Sequence, residues 1–586
     1  MHLKSIRALI RKRFNIPKER PIRRTILSFS LAERTLFYFF VTIFVISGAT
    51  LLWKVSEAYL VRVPIQGGSL TEGVVGNPRF INPVLALSEA DKNLTALVYS
   101  GLVRLTPEGE VLNDLASAVE VSENKLVYTV TLSESARFHD GEPVTADDVV
   151  FTIGKIADPL IKSPRRGNWE GVTVAKVDDM TVTFTLRRAY TPFIYNLTTG
   201  ILPRHIWKNV TADEFSFSQF NTLPVGSGIY KVERVERNEG GIPDYYELTP
   251  FNSVSEESPF IETLIFRFYP SESLLIEAYN NGSVESIGGI SPENIALLDE
   301  KSAQVIHSPL PRVFAVFFNQ SQSKVLLDKS VRQALNLTAP RTEIVNDVLD
   351  GYGVAIDSPL PVTAYSIISQ RSATASSTEE RIQEARELLA KSGWKINEET
   401  GVLEKKSGSD TITLSFSIST GDAEELKNVA LALAQTWEKL GAKIEVLTFE
   451  TGELNQSVIR PRHFDALLFG EVVGREADLY PFWHSSQRND PGLNIALYAN
   501  SRADRFLEEA RSVSDREVAK ESYLAFDGEL RKDLPAIFLY SPSFLYVVPE
   551  KVKNVTLGSL SVSQDRFLSI RDWYIETDKV WKLFLD

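Results

Sequence analysis

Residues 136–151 read Ala136-Arg137-Phe138-His139-Asp140-Gly141-Glu142-Pro143-Val144-Thr145-Ala146-Asp147-Asp148-Val149-Val150-Phe151. Parsed physically, they are a strand end, a tight turn and the start of a capped helix. In Asp140-Gly141 the carboxylate can accept from the local backbone, and glycine takes a positive φ without steric cost. Thr145, with Asp148 three residues on, is the pattern of a helix N-terminus. Val149, Val150 and Phe151 then give that helix an apolar face. Taken singly, these residues are packing and capping chemistry and require no catalysis.

Around this stretch lies a chain of 586 residues, too long for one hydrophobic core, so two or three lobes are expected. Hydrophobic residues make up 43% and charged residues 24%, as in an ordinary globular protein. The absence of cysteine excludes disulfides, thiolate nucleophiles, cysteine metal sites and a lipid on an N-terminal cysteine. The six histidines (His2, His139, His205, His307, His463 and His484) are scattered, none paired at the spacing of a helical metal site, so neither a metal nor a cofactor is expected.

The net charge of −13 combines +8 on residues 1–34 with −21 on the remainder. So acidic a body would repel nucleic acid. The basic arm instead leads into Leu36–Trp53, 18 residues without a charge. At about 1.5 Å per residue that run spans roughly 27 Å, enough for a membrane's hydrocarbon core. The small residues Ser47-Gly48-Ala49 fall inside the run rather than after it, which favours an uncleaved anchor over residues 35–54 to a cleaved signal peptide. The positive arm then stays in the cytoplasm, and everything after about residue 55 lies outside.

Further on, period-two alternation predicts strands. Leu126, Tyr128, Val130 and Leu132 share one face, Met180–Leu186 repeats the pattern, and Ile261–Phe268 does so again. A helix then runs through Tyr279, and Gly101 suits a helix C-cap with Leu102 folding back. Residues 372–380 form a polar loop, followed by a helix whose stripe is Ile382, Ala385, Leu388 and Leu389 and which Gly393 stops. Ile412, Leu414, Phe416 and Ile418 alternate as one strand, Ala430–Leu440 is helical, and Lys443–Val446 returns as a strand. That β-α-β order predicts an α/β lobe.

As a string, Phe138, His139, Asp140, Gly141, Pro143, Thr145, Ala146, Asp148 and Val149 resemble the signature of the extracellular solute-binding proteins of ABC importers, family 5, whose members bind oligopeptides, dipeptides or nickel. The resemblance runs from about Gly68 to Trp573 through Thr71–Val75, Ile81-Asn82-Pro83, Tyr99-Ser100-Gly101-Leu102, Val225–Val232, Val316–Asn319, Ser330–Asn336, Phe464–Asp478 and Leu493–Tyr498. It implies a periplasmic-binding-protein-like fold of type II, with two large lobes, a hinge cleft and a small extra α/β lobe. Carried over, the first lobe takes residues 65–95, 196–312 and 536–586, the extra lobe 96–195, and the second lobe 313–535.

The same resemblance nominates ligand contacts: Glu72, Ser227, Asn319, Gly470, Glu471, Asn494 and Tyr540, with Arg475 or Glu476. In peptide-binding relatives a Trp follows the glycine, and an Asp a few residues on holds the ligand's α-ammonium. Here Glu471 stands in place of the Trp, and either Arg475 or Glu476 falls at the Asp, depending on a one-residue shift. A carboxylate would bind an ammonium, whereas Arg475 would repel it and prefer a carboxylate or phosphate. As solvated loop charges, Glu471, Arg475 and Glu476 would do neither.

The reading that results is a membrane-anchored, extracytoplasmic solute-binding protein that takes up a peptide-like solute and delivers it to ABC permease subunits. Two rivals remain: a tethered ligand sensor with the same fold, and a peptide-processing enzyme. Against the enzyme stand the lack of Cys, of a Gly-x-Ser-x-Gly elbow and of clustered His.

Overall fold

A computed structural model of the chain describes residues 26–251, 258–299, 303–362, 377–474, 477–513 and 515–581. Most of the basic arm, residues 372–376 of the polar loop, and both Arg475 and Glu476 lie outside the described residues. The chain divides into two units, Met1–Ile65 with Glu576–Asp586, and Gln66–Ile575.

In the smaller unit the apolar run is a helix, Leu31–Tyr59. It starts earlier than the uncharged run because Ser30 and Glu33 form a capping box. The Glu33 carboxylate accepts from the Ser30 N–H and hydroxyl at 2.8 Å each, and the Glu33 N–H donates to Ser30 Oγ at 3.4 Å. The stretch Leu31–Val55 is long and apolar enough to cross a membrane, with a mean hydropathy of 2.1 and no part of it buried. The helix runs straight into a strand, Leu60–Ile65, which pairs antiparallel with Glu576–Trp581 from the far end of the chain. No local pattern announces that pairing.

The larger unit is built on a twelve-stranded mixed sheet. Its first half holds the strands Ser69–Val75, Tyr230–Arg237, Pro243–Pro250, Thr263–Tyr269 and Ser286–Gly288; its second holds Arg312–Phe318, Ser415–Gly421, Lys443–Phe449 and Ala466–Val472. The 14-residue strand Ala536–Pro549 belongs to both. Residues 536–540 pair with Arg312–Phe318, and residues 543–549 pair with the strand Ala303–Pro309. The chain thus passes between the halves twice, at Leu310-Pro311 and at Ser541-Pro542. Neither proline has an N–H for the ladder. Ser541 Oγ lies 2.7 Å from both the Leu310 and the Arg312 carbonyl oxygens, tying the two crossings together.

Packed against the first half is a four-stranded antiparallel sheet, in the order Ala116–Val121, Val127–Leu132, Thr181–Leu186, Val172–Lys176. Tyr128, Val130 and Leu132, and Val182, Phe184 and Leu186, face inward as the alternation predicts. The signature helix, Ala146–Ala157, buries Ala146, Val149, Ile153 and Ile156, leaving Val150 and Phe151 at the margin of the core.

Asp148 does more than cap. One oxygen accepts from Thr145's N–H and hydroxyl at 2.8 and 2.7 Å, and the other accepts from the Arg204 N–H at 2.7 Å. His139 clamps the Gly226-Ser227-Gly228 turn: its Nδ1 accepts from the Gly226 N–H at 3.2 Å, and its Nε2 donates to the Gly228 carbonyl at 3.0 Å. Burial lowers its pKa to about 4, so the ring is neutral at neutral pH. The glycines let that turn lie on the end of the helix Glu89–Val98. A Cβ on Gly226 would sit 1.9 Å from the Val98 carbonyl oxygen, and one on Gly228 would sit 2.2 Å from that of Leu97.

Two local expectations are corrected. Gly101 is not a helix cap: the helix Glu89–Val98 is capped by Tyr99, and Gly101 is glycine because the Thr198 backbone lies 2.6 Å from where a Cβ would be. The alternation from Ile412 to Ile418 is two strands, Asp410–Thr413 and Ser415–Gly421, because Leu414 turns aside to pair its backbone with Leu403 and Lys443.

Gly228→Ala is expected to cost about 3 kcal/mol, at the upper end of overpacking penalties, since its obstacle is backbone. Urea unfolding of both proteins checks this, and an unchanged midpoint would refute the account of the turn.

Candidate functional site

A cavity of about 290 Å³ opens where the two halves meet at the double crossing. Gly289–Pro292 and Glu89 wall it from the first half, Leu349 and Glu425 from the second, and Leu310, Arg312, Phe314 and Pro542–Leu545 form its base. Phe314 stacks on Tyr540 at 4.8 Å with ring planes 3° apart, and the Tyr540 hydroxyl donates to Glu425 Oε1 at 2.5 Å. Gly470 makes room for that stack, since a Cβ there would meet the Phe314 ring at 2.7 Å. Burial raises the Glu425 pKa, and Glu293 reinforces this; the Tyr540 hydrogen bond and the Arg312 charge pull it back. Arg312 Nε is buried and has no partner among the described residues. Carboxyls from both halves and one guanidinium therefore share a partly dry space, where ionic contacts to a solute are stronger than in water.

Glu425 and Arg312 were not among the sequence-nominated residues. A signal for Glu425 existed: it lies in the first turn of the helix Glu424–Leu440, just past the carboxyl end of the strand Ser415–Gly421, the usual position for a ligand group in an α/β lobe.

Of the nominated residues, Tyr540 and Gly470 build this base. Glu72 lies behind it in a buried network. Its carboxylate accepts from Arg566 at 2.9 and 3.2 Å, from the Tyr546 hydroxyl at 2.9 Å and from the Ser286 hydroxyl. Arg566 also reaches Asn93 Oδ1 at 3.0 Å and lies 4.1 Å over the Phe567 ring. Asn319 Oδ1 accepts from the N–H groups of Ser321 and Gln322, and its amide donates to the Arg462 carbonyl at 2.7 Å. The Asn494 amide donates to the Trp483, His484 and Tyr498 carbonyls, and its oxygen accepts from the Tyr498 N–H. Glu72, Asn319 and Asn494 spend their polar groups on the scaffold. Ser227 is buried in its turn, and its hydroxyl has no partner among the described residues.

Glu471 occupies none of these settings. It pairs with Val313 across the ladder and is buried, and neither carboxyl oxygen has a hydrogen-bond partner among the described residues. Desolvation pushes its pKa well above the usual carboxylate range. The Trp483 indole N–H draws it back only partway, its own geometry falling short of a hydrogen bond.

The halves also touch away from the crossing. The Arg511 guanidinium lies between Tyr480, at 4.6 Å, and Tyr190 of the first half, at 5.0 Å, and pairs with Asp478 at 3.1 Å. Beside it the Thr191 hydroxyl donates to the Val513 carbonyl at 3.1 Å. Among the described residues no group of three or more His, Asp or Glu could hold a metal ion.

Two halves joined by two crossing strands around a solute-sized cavity define a two-lobed solute-binding protein of the periplasmic, type II kind. The comparisons make that specific. Residues 110–490 match the bacterial extracellular solute-binding proteins, family 5, middle region, and the chain belongs to that family. It is 27% identical over 502 residues to the oligopeptide-binding protein AppA of Bacillus subtilis, covering 84% of this chain and 89% of AppA. The structure of AppA with a nonapeptide overlays 88% of this chain and all of that one, at 26% identity and a TM-score of 0.65. NikZ of Campylobacter jejuni in complex with Ni(L-His) overlays 86% of this chain and 99% of that one, at 25% identity and a TM-score of 0.65.

Two outcomes are expected here. Glu72→Gln leaves Arg566 buried without a counter-charge and should cost about 3–5 kcal/mol in chemical unfolding. Glu471 has a folded pKa raised above its ordinary 4.5, so its contribution is intact below about pH 4.5 and is lost as pH rises toward the folded value. Glu471→Gln should therefore raise the melting temperature at pH 7–8 and leave it unchanged near pH 4. Parallel curves for both proteins across that range would contradict the assignment.

Proposed function

We propose that this chain captures peptides or peptide-like solutes outside the cytoplasmic membrane and delivers them, chemically unaltered, to the permease of an ABC importer. The helix Leu31–Tyr59 anchors it, with the basic arm on the cytoplasmic side. The observation that carries the reading is the cavity at the double crossing, walled by both halves and bearing Glu425, Glu89 and Arg312. A solute's ammonium is held by the carboxyls and its carboxylate by Arg312, so the pocket suits a short zwitterion. That the relatives include an oligopeptide-binding protein agrees with this chemistry.

In this reading residues 66–312, the end of the crossing strand and residues 550–575 form the first lobe with its extra sheet, and residues 313–535 form the second. Closure is a hinge motion at Leu310-Pro311 and Ser541-Pro542. The Tyr190–Arg511–Asp478 contact then acts as a latch, present when the lobes are shut. Arg475 or Glu476 serves as a further contact to the solute.

Thermal shift of the full chain in detergent micelles against di- to pentapeptides tests this. A bound peptide at about 100 times its dissociation constant should add roughly 2.7 kcal/mol of stability. Arg511→Ala should weaken that peptide's affinity by about tenfold through a smaller closed population, without touching the ligand. No shift with any peptide would overturn the solute class, and an unchanged affinity in Arg511→Ala would overturn the latch.

A further inference from the structure

A second cavity, of about 210 Å³, lies wholly in the first half, between the helix Glu89–Val98, the turn at Thr198–Gly200 and the helical segment Ser563–Asp572. Four cations line it, Lys92, Arg104, Arg165 and Arg571, against two carboxylates, Asp114 and Asp565. The Asp565 carboxylate is already engaged, accepting from the backbone N–H groups of Ser561 and Val562 at 2.7 and 3.3 Å. Asp114 faces Arg571 at 3.9 Å. Among the described residues Lys92, Arg104 and Arg165 make no ion pair within 4 Å. Arg165 is half-buried; desolvation lowers its pKa, and no carboxylate among the described residues pairs with it.

A net positive cavity is unexpected in a body that carries −21 over residues 35–586. Surface cations scattered on such a body would meet carboxylates one for one, whereas here four cations converge on a space that holds two. A desolvated guanidinium without a counter-charge costs stability unless something supplies that charge. The same wall holds the Thr95 and Tyr99 hydroxyls, both more than nine-tenths buried and without partners among the described residues. A volume of 210 Å³ holds about seven waters at about 30 Å³ each, enough for one small multivalent anion and its remaining hydration.

We propose that this cavity is a second binding site, separate from the cleft between the halves, for a small multivalent oxyanion such as phosphate or a compact polycarboxylate. Arg165 and Arg104 present planar donor forks to its oxygens, and Lys92 adds a point charge at the rim. The site is independent of the solute in the cleft, so the cleft can fail as a peptide site while this one stands.

The test is calorimetry and thermal shift of the full chain in detergent micelles, titrated with inorganic phosphate and, separately, citrate, against sodium chloride at equal ionic strength. The expected result is a saturable rise in melting temperature with phosphate or citrate beyond that with chloride. Arg165→Gln should weaken that affinity about tenfold, and Arg104→Gln should weaken it as well. Glu425→Gln, in the cleft, should bind the anion as the parent does. No saturable rise beyond chloride, or full affinity retained in both arginine variants, overturns the proposal. Loss of anion binding in Glu425→Gln overturns its separateness from the cleft.

Discussion

One strand, Ala536–Pro549, carries the hydrogen-bond ladders of both halves of the larger unit, and the remaining architecture is arranged around that constraint. At about 3.3 Å per residue it is roughly 46 Å long, and it is buried over most of its length. Each half can pack its own core against its own end of the strand. Connection between the halves then narrows to two short passages, each marked by a proline and joined to the other by the Ser541 hydroxyl. Such a joint bends at a few backbone torsions and leaves the cores intact. That is the mechanical requirement for a cleft that opens and shuts around a solute.

Polar groups in the first half hold the geometry of the cleft from behind. Glu72 and Arg566 bring together residues nearly five hundred positions apart, linking the strand Ser69–Val75 to the last helical turns. His139 and the two glycines of the 226–228 turn fix a neighbouring loop against the end of the helix Glu89–Val98. These are scaffold interactions with satisfied partners. Among the unpartnered buried groups, Arg312 Nε at the double crossing and the Thr95 and Tyr99 hydroxyls of the second cavity sit where a solute or ion can reach them.

What could be read from the amino-acid order was whatever is local. Period-two alternation marked the strands Val127–Leu132 and Thr181–Leu186, and the Thr145–Asp148 pair marked a helix start, because those signals are complete within a few residues. The signature string supplied the lobe plan by resemblance. The pairing of Leu60–Ile65 with Glu576–Trp581 was not legible, since nothing in either strand names a partner more than five hundred residues away. The scaffold partners of Glu72, Asn319 and Asn494 were not legible for a related reason. A polar residue near a cleft looks the same in sequence whether its hydrogen bonds go to a ligand or, as here, to the backbone and a buried arginine. Glu425 was missed because its importance depends on Tyr540, 115 positions away.

The central claim is that the two halves close on a small peptide-like solute. Native mass spectrometry of the full chain released from membranes into micelles tests it most directly, because a closed cleft retains its solute through purification. The account predicts a discrete adduct of peptide mass that leaves on denaturation and can be replaced by a defined peptide pool. A bare mass before and after exposure to that pool, from protein shown to be folded, would contradict it.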